Sequence, residues 1–321
     1  MEQGTIVLNN RPGLICGAAV VGAKEGEGPL GSKFDYIIPE AHFGKDTWEQ
    51  AETEMQGEAL RFALDKSGIT EMELEYILSG DLLNQCVASS FAHRASNTAY
   101  LGLYGACSTF LEGLALSALL IDGGYAQNAA TCVSSHFCAA ERQYRYPMEY
   151  GGQRTPTSQW TVTGAGCTIL GKEGRGAKIR TVTIGKIVDQ GICDVNNMGA
   201  AMAPAAYDTL KRIFTDTQTG PEDFDLIVTG DLGSVGSQLL SDLFRIQDNI
   251  QFGANHIDCG TQIFDVDTQE VASGGSGAGC SATVFSAHLL AEIQAGRWKN
   301  VLFAGTGALL SPLTSQQGET I

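Results

Sequence analysis

Cys107 is the residue whose surroundings most suggest chemistry. It stands in Tyr104-Gly105-Ala106-Cys107-Ser108-Thr109, a small-residue turn directly before an apolar helix. A thiol at a helix N-terminus feels the positive end of the macrodipole and the unpaired N–H groups, which lowers its pKa. Such a turn also presents the side chain as a nucleophile requires. The alternative is a small residue filling an interface. Acyl transfer through a thiol further needs a base and oxyanion donors. The chain has five His (42, 93, 136, 256 and 288). None falls in Gly230-Asp231-Leu232-Gly233 or in Gly274 to Gly279, the second-half loops expected to face Cys107. His288 falls mid-helix and reads as structural.

His136 differs. It follows Ser134-Ser135 at a strand end and precedes Glu141 to Gln153, a stretch with Arg142, Arg145 and three Tyr. Arg forks and Tyr hydroxyls suit a small dicarboxylate or a planar aromatic acid. The alternative is a surface hairpin or dimer-interface loop. Asp81 and Asn84 sit where the strand ending at Gly80 meets its loop, a favoured site position in α/β sheets. A carboxylate there binds a metal, orients a partner, or caps the next helix. Two Gly-rich matches fail: Gly26 to Lys33 reads Gly-Ser-Lys rather than Gly-Lys-Ser, and Gly274 to Gly279 lacks dinucleotide-binding spacing.

The elements that must position these residues come as a repeat. Leu74 to Leu82 recurs as Phe224 to Leu232, each a turn feeding a buried strand that ends in Gly-Asp-Leu. Helices are expected before the copies, over about Thr47 to Lys66 and Pro204 to Phe214. Cys107-Ser108 opens a helix that stops at Gly123-Gly124, before a strand over Ala129 to Val133. Cys280-Ser281 likewise opens one that stops at Gly296, before Val301 to Ala304. The reading is two similar βα-rich halves, 1–175 and 176–321, with mixed sheets covered by helices: an α/β architecture. The first half has an extra strand over Trp160 to Leu170. The second shows nothing equivalent before Ile321, so a final strand is expected to be absent there.

Composition narrows the function classes. The 321 residues are 43% hydrophobic and 17% charged, a globular balance. A net charge of −16 opposes binding to nucleic acid or anionic lipid. Nine Cys without a CxxC pair argue against a zinc ribbon or a redox dithiol, and for a reducing compartment. The N-terminus lacks a signal-peptide pattern, and no apolar stretch is long enough to span a bilayer. Membrane association is therefore expected only through a partner.

With these residues together, the chain resembles the thiolase superfamily and most nearly its ketoacyl-ACP-synthase-like branch, here the stage V sporulation AD family of endospore-forming bacteria. The resemblance rests on Gly28 to Gly31, Gly80 to Gln85, Gly105 to Thr109, Ser134 to His136, Glu141 to Gln153 and Asp225 to Leu232. It continues through Asp258 to Gly260, Gly274 to Ser281 and Gly305 to Pro312. It implies a five-layered αβαβα fold and a homodimer. It also implies binding of dipicolinic acid (pyridine-2,6-dicarboxylate) as part of a channel that loads it, with calcium, into the developing spore. The chain would lie peripherally on the spore inner membrane, held by membrane-embedded channel subunits. Active condensing enzymes place a His where this chain has Gly230, and an Asn or His where it has Ser276 or a neighbouring Gly. The expectation is a non-enzyme that needs no cofactor, with Ca²⁺ admitted only together with the ligand and no metal ligands assigned. A residual Cys107-dependent acyl-CoA or acyl-ACP thioesterase or transferase, and a channel scaffold, are the competing readings.

A dianion approaching so acidic a chain meets repulsion that salt screens only beyond about 8–10 Å. Local groups must offset it. The expected ligand set is Cys107, Ser135, His136, Arg142 and Arg145, with Asp81 and Asn84 at the neighbouring strand end.

Overall fold

The structure is a computed structural model that describes residues 4–144, 154–172, 176–252 and 255–321. The chain enters through β1 (Thr5–Val7) and β2 (Gly13–Val21), then a short turn α1 (Ala23–Gly26) and β3 (Tyr36–Ile37). Helix α2 (Trp48–Ser67) begins where Thr47 Oγ1 accepts the Gln50 N–H at 3.3 Å. Next come β4 (Tyr76–Gly80), α3 (Val87–Ala92), β5 (Ala99–Leu103), α4 (Thr109–Asp122) and β6 (Asn128–Ser135). Helix α5 (Phe137–Tyr144), β7 (Trp160–Thr161) and β8 (Gly164–Gly171) complete the first half.

The second half runs β9 (Thr181–Thr183), α6 (Met198–Thr217), β10 (Leu226–Thr229), α7 (Gly233–Asp248), β11 (His256–Asp258) and α8 (Cys259–Ile263). It closes with β12 (Gly275–Ser276), α9 (Ala278–Val284), a π turn at Phe285–Leu289, α10 (Leu290–Gln294), β13 (Val301–Ala304) and α11 (Pro312–Gln316). The two Gly-Asp-Leu copies have the same local form: one 3₁₀ turn, Glu71–Glu73 or Pro221–Asp223, then β4 or β10.

Six strands form one sheet in the order β3-β2-β8-β6-β4-β5, with β8 antiparallel to both its neighbours. A second sheet, β11-β10-β13, is parallel throughout. Helix α2 packs on one face of the large sheet, while α4 and α9 cover the other. Those inner helices then meet the small sheet. Its Leu226 and Val228 join a core with Phe110, Leu114, Val284 and Phe285. Ile227 points to the opposite face, against Met202, Leu210 and Phe244 of α6 and α7. The result is the expected order of layers, α-β-α-β-α.

The halves are interlocked. β1 pairs with β9, and β7 pairs with β12, each crossing the expected boundary. Several element expectations change. Helix α6 starts at Met198, not near Pro204, because the Asn197 side chain accepts the Ala200 N–H and opens it earlier. Cys280 lies inside α9, not at its start; the helix begins at Ala278 after Gly277, whose φ is +102°. The strand expected over Trp160 to Leu170 divides into β7 and β8. Among the described residues, β13 has no second neighbour, whereas its counterpart β6 lies between β4 and β8.

Candidate functional site

The turn before α4 is fixed by its own small polar residues. Thr109 Oγ1 accepts the Gly105 N–H (3.0 Å) and donates to Ala106 O (2.7 Å), while Ser108 Oγ donates to Gly105 O (2.6 Å). Ala106 is driven into the left-handed region at φ +50°, a conformation costing a non-glycine residue about 1–2 kcal/mol. That kink turns Cys107 off the helix axis and into a cavity between the halves.

The cavity measures about 50 Å³. Its apolar wall comes from Leu82, Ala106, Ala140, Met198, Leu309 and Leu310. Its polar groups are Tyr104, Cys107, Glu141, Tyr144, Thr161 and Ser276. The Tyr104 and Tyr144 hydroxyls hydrogen-bond each other at 2.6 Å, and Tyr104 also donates to Leu82 O at 3.2 Å. Burial, with the Tyr104 hydroxyl adding, pushes the Tyr144 phenol well above its usual range. Glu141 accepts from Thr161 Oγ1 (2.8 Å) and pairs with Arg154 (3.4 Å). Arg154 lies over the rings of Phe137 and Trp160, which stack on each other at 4.0 Å. No Lys or Arg is among the described residues lining the cavity.

Directly behind that lining is Asp231. Its Oδ2 accepts the Gly277 N–H at 2.9 Å, and the Cys107 thiol lies beside its carboxyl. Burial pushes this carboxyl up to about 7; the Asp258 charge adds to the rise, and the thiol and the Gly277 N–H oppose it. The matching Asp81 does different work. Its two oxygens accept the Leu83 and Ser89 N–H groups, both at 2.8 Å, closing the loop into α3. In the second half Asp258 performs that capping, accepting from Leu232 N, Gly233 N and Gly260 N. Asp231 is thereby released toward Cys107.

Of the six expected ligand residues that are described, the structure brings Cys107 alone to the cavity wall. Asp81 is fully buried one residue behind the lining residue Leu82. Asn84 is exposed, its N–H donating to Gln143 Oε1 at 3.4 Å. Ser135 is spent on packing the halves: it donates to Val162 O (2.7 Å) and accepts the Gly279 N–H (3.0 Å). His136 Nε2 donates to Ala41 O at 2.8 Å, and burial pushes the ring's pKa down, which disfavours a positive charge there. Arg142 is turned to Glu49 and the Trp48 ring. Arg145 lies outside the described residues. Sequence reasoning missed Asp231, Glu141 as a cavity residue, and Arg154 behind it. The repeated Gly-Asp-Leu was the available signal for Asp231.

The family model of stage V sporulation protein AD matches residues 2–321 of this chain. The chain belongs to the stage V sporulation protein AD family. A relative of that name in Bacillus subtilis (strain 168) is 44% identical over 300 residues, covering 94% of this chain and 88% of its own. Solved structures show the same thiolase-like fold at low identity. The 3-oxoacyl-[acyl-carrier-protein] synthase III of Aquifex aeolicus superposes with a TM-score of 0.56 at 13% identity, covering 92% of this chain and 96% of its own. An OleA variant of Xanthomonas campestris gives 0.62 at 12% identity, covering 94% and 96%. The sporulation family member thus keeps a thiolase-like fold. No helix among the described residues is long and apolar enough to cross a membrane.

Proposed function

We propose that this chain is a non-catalytic binding subunit for dipicolinic acid, acting in the sporulation channel that moves it, with calcium, into the developing spore. Membership of the family supports the sporulation role. The observation that carries the non-catalytic reading is the acid that lies beside Cys107. Acyl transfer needs an imidazole-type base and free oxyanion donors. Here the thiol meets the Asp231 carboxyl, none of the five His lines the cavity, and the Gly277 N–H is already taken. A neighbouring carboxylate disfavours a thiolate. The cavity still offers an aromatic acid apolar walls, two phenols and a thiol.

The chain is held at the spore inner membrane by embedded channel subunits and pairs with a second copy of itself. The edge strand β5, which carries the half-exposed Leu101, is available for such pairing. Light scattering on the purified protein reads that stoichiometry directly.

Isothermal titration with dipicolinate, with and without Ca²⁺, tests the central reading. Saturable heat that weakens at least tenfold in Cys107→Ala is expected. Absence of heat and of any thermal shift, in both conditions, would leave a scaffold subunit instead. One observation favours a residual thioesterase or transferase: a carboxyl with a pKa near 7 sits on the thiol and can accept its proton. Intact-mass detection of an acylated Cys107 after incubation with acyl-CoA would establish that alternative.

A further inference from the structure

No CxxC spacing marks a redox pair in the sequence, yet the large sheet builds one. Cys132 of β6 and Cys167 of β8 are Cα partners in the antiparallel ladder. Among the described strand registers, theirs is the one position where Cys faces Cys. The Lys172 N–H donates to Gln127 O at 2.9 Å, so the odd-numbered residues of β6 carry the hydrogen bonds to β8. Cys132 is even-numbered, and its carbonyl accepts the Ser79 hydroxyl of β4 at 2.6 Å. The two cysteines therefore form a non-hydrogen-bonded pair, the closer of the two antiparallel kinds, with Cα atoms about 4.5 Å apart and side chains on one face. That face is the core beneath α2, where both thiols are 0% exposed.

We propose that Cys132 and Cys167 are a reversible two-electron oxidation site that takes a small peroxide. A disulfide needs Cα atoms about 4.4–6.8 Å apart, and this pair lies at the short end of that window. With hydrogen peroxide, one thiol attacks as its thiolate. The S–O bond forms, the O–O bond breaks, and the hydroxide leaves with the thiol's proton as water. The second thiol then attacks the sulfenic sulfur. The S–S bond forms, the S–O bond breaks, and its proton leaves in a second water. The sulfurs together lose two electrons, which reduce the peroxide. A bond made at the short end of the window is strained, so a thiol reductant reopens it. Burial selects the smallest oxidants.

The bond closes a covalent ring over the chain from β6 to β8, the segment that sends Glu141, Tyr144 and Thr161 to the cavity. It also draws Cys132 Sγ away from Gln56 O, to which it donates at 3.5 Å. The same Gln56 donates from Nε2 to Gly80 O (2.8 Å) and Ser134 Oγ (2.9 Å), tying the ends of β4 and β6 together. Oxidation thus acts on the strand ends behind the cavity wall. Cys16, a third thiol against this core, is left out of the pair. It lies opposite Ile169, and its thiol donates to Ala63 O at 3.1 Å.

The test needs no ligand. The native, reduced chain is treated with hydrogen peroxide, unfolded in the presence of iodoacetamide, and mapped by peptide mass spectrometry without reductant. The expected product is a linked pair of peptides carrying Cys132 and Cys167, two hydrogens lighter than the separate peptides, which dithiothreitol opens. In Cys132→Ser and in Cys167→Ser the link should be absent, and the surviving thiol should stop at the sulfenic acid that dimedone traps. The exposed Cys193 reports that the peroxide has acted. If Cys193 is oxidised while Cys132 and Cys167 both take iodoacetamide, the inference is overturned. Linkage of either residue chiefly to another cysteine overturns it too, as does a link that dithiothreitol leaves intact. The wild-type map alone decides the question if a serine variant fails to fold.

Discussion

Asp81 and Asp231 occupy the same place in two copies of one motif, yet one caps a loop and the other faces a thiol. The difference is made by Asp258. By accepting three backbone N–H groups and the Thr229 hydroxyl (2.6 Å), it takes over in the second half what Asp81 does in the first. The two Gly-Asp-Leu sequences are identical, so this division could not be read from them; it depends on a residue on another strand. Cys107 was legible because its signal is local, a small-residue turn before a helix. His136 shows the opposite case. Its position at a strand end suggested a site, but the ring direction is set by Ala41 O across the fold. His136→Ala should therefore leave dipicolinate affinity within about twofold. It should lower stability by roughly 1–2 kcal/mol through the lost buried hydrogen bond. Calorimetry and chemical denaturation of the same sample separate the two effects, and a tenfold loss of affinity would return His136 to the site.

At the scale of elements, helix α9 lies almost on the backbone of the large sheet. A Cβ on Gly166 of β8 would come within 2.2 Å of Ala282 O, and one on Gly17 of β2 within 2.4 Å of Ser286 O. The π turn at Phe285–Leu289 follows α9, and Phe285 there packs on Phe110 of α4 and Phe303 of β13. α9 also begins directly after Gly277, the residue that holds Asp231. Gly166→Ala must push α9 off the sheet. The expected cost is about 1–3 kcal/mol, as for other overpacked cores. The displacement should also loosen the Gly277–Asp231 contact and weaken ligand binding. Gly57→Ala, on the open face of α2, is the control: it should leave ligand binding unchanged and raise stability by about 0.5–1 kcal/mol through helix propensity. Equal stability of Gly166→Ala and wild type in urea would show that the close approach carries no load. The apolar repeats made α2, α4 and the strands legible. They gave no sign that the extra strand divides at Val162-Thr163, since that break is set by pairing of β7 with the distant β12.

For the whole molecule, the acidic composition and the buried acids act on stability in the same direction. Burial pushes Glu25 up to about 7, Asp231 to about 7 and Asp258 to about 6, and it raises Glu52 as well. An acid whose folded pKa lies above its unfolded value stabilises the fold fully below the unfolded value. That contribution is lost as pH climbs to the folded one. The window for these groups therefore runs from about 4 to about 7, with each group's slope approaching ~1.4 kcal/mol per pH unit inside it. Surface carboxylates such as Asp225 and Asp248 are held low by hydrogen bonds, so their smaller effect is lost only on acidifying further. The net charge of −16 adds self-repulsion as the last buried acids ionise. Stability should peak on the acid side of neutrality and decline toward about pH 8. Thermal melts across this range should show the melting temperature falling with pH. Glu25→Gln, which keeps an acceptor for the Thr163 N–H at 2.8 Å, should flatten the decline and raise the melting temperature at the alkaline end. A wild-type curve that rises toward pH 8 would mean that these carboxyls ionise in the fold as readily as in the unfolded chain.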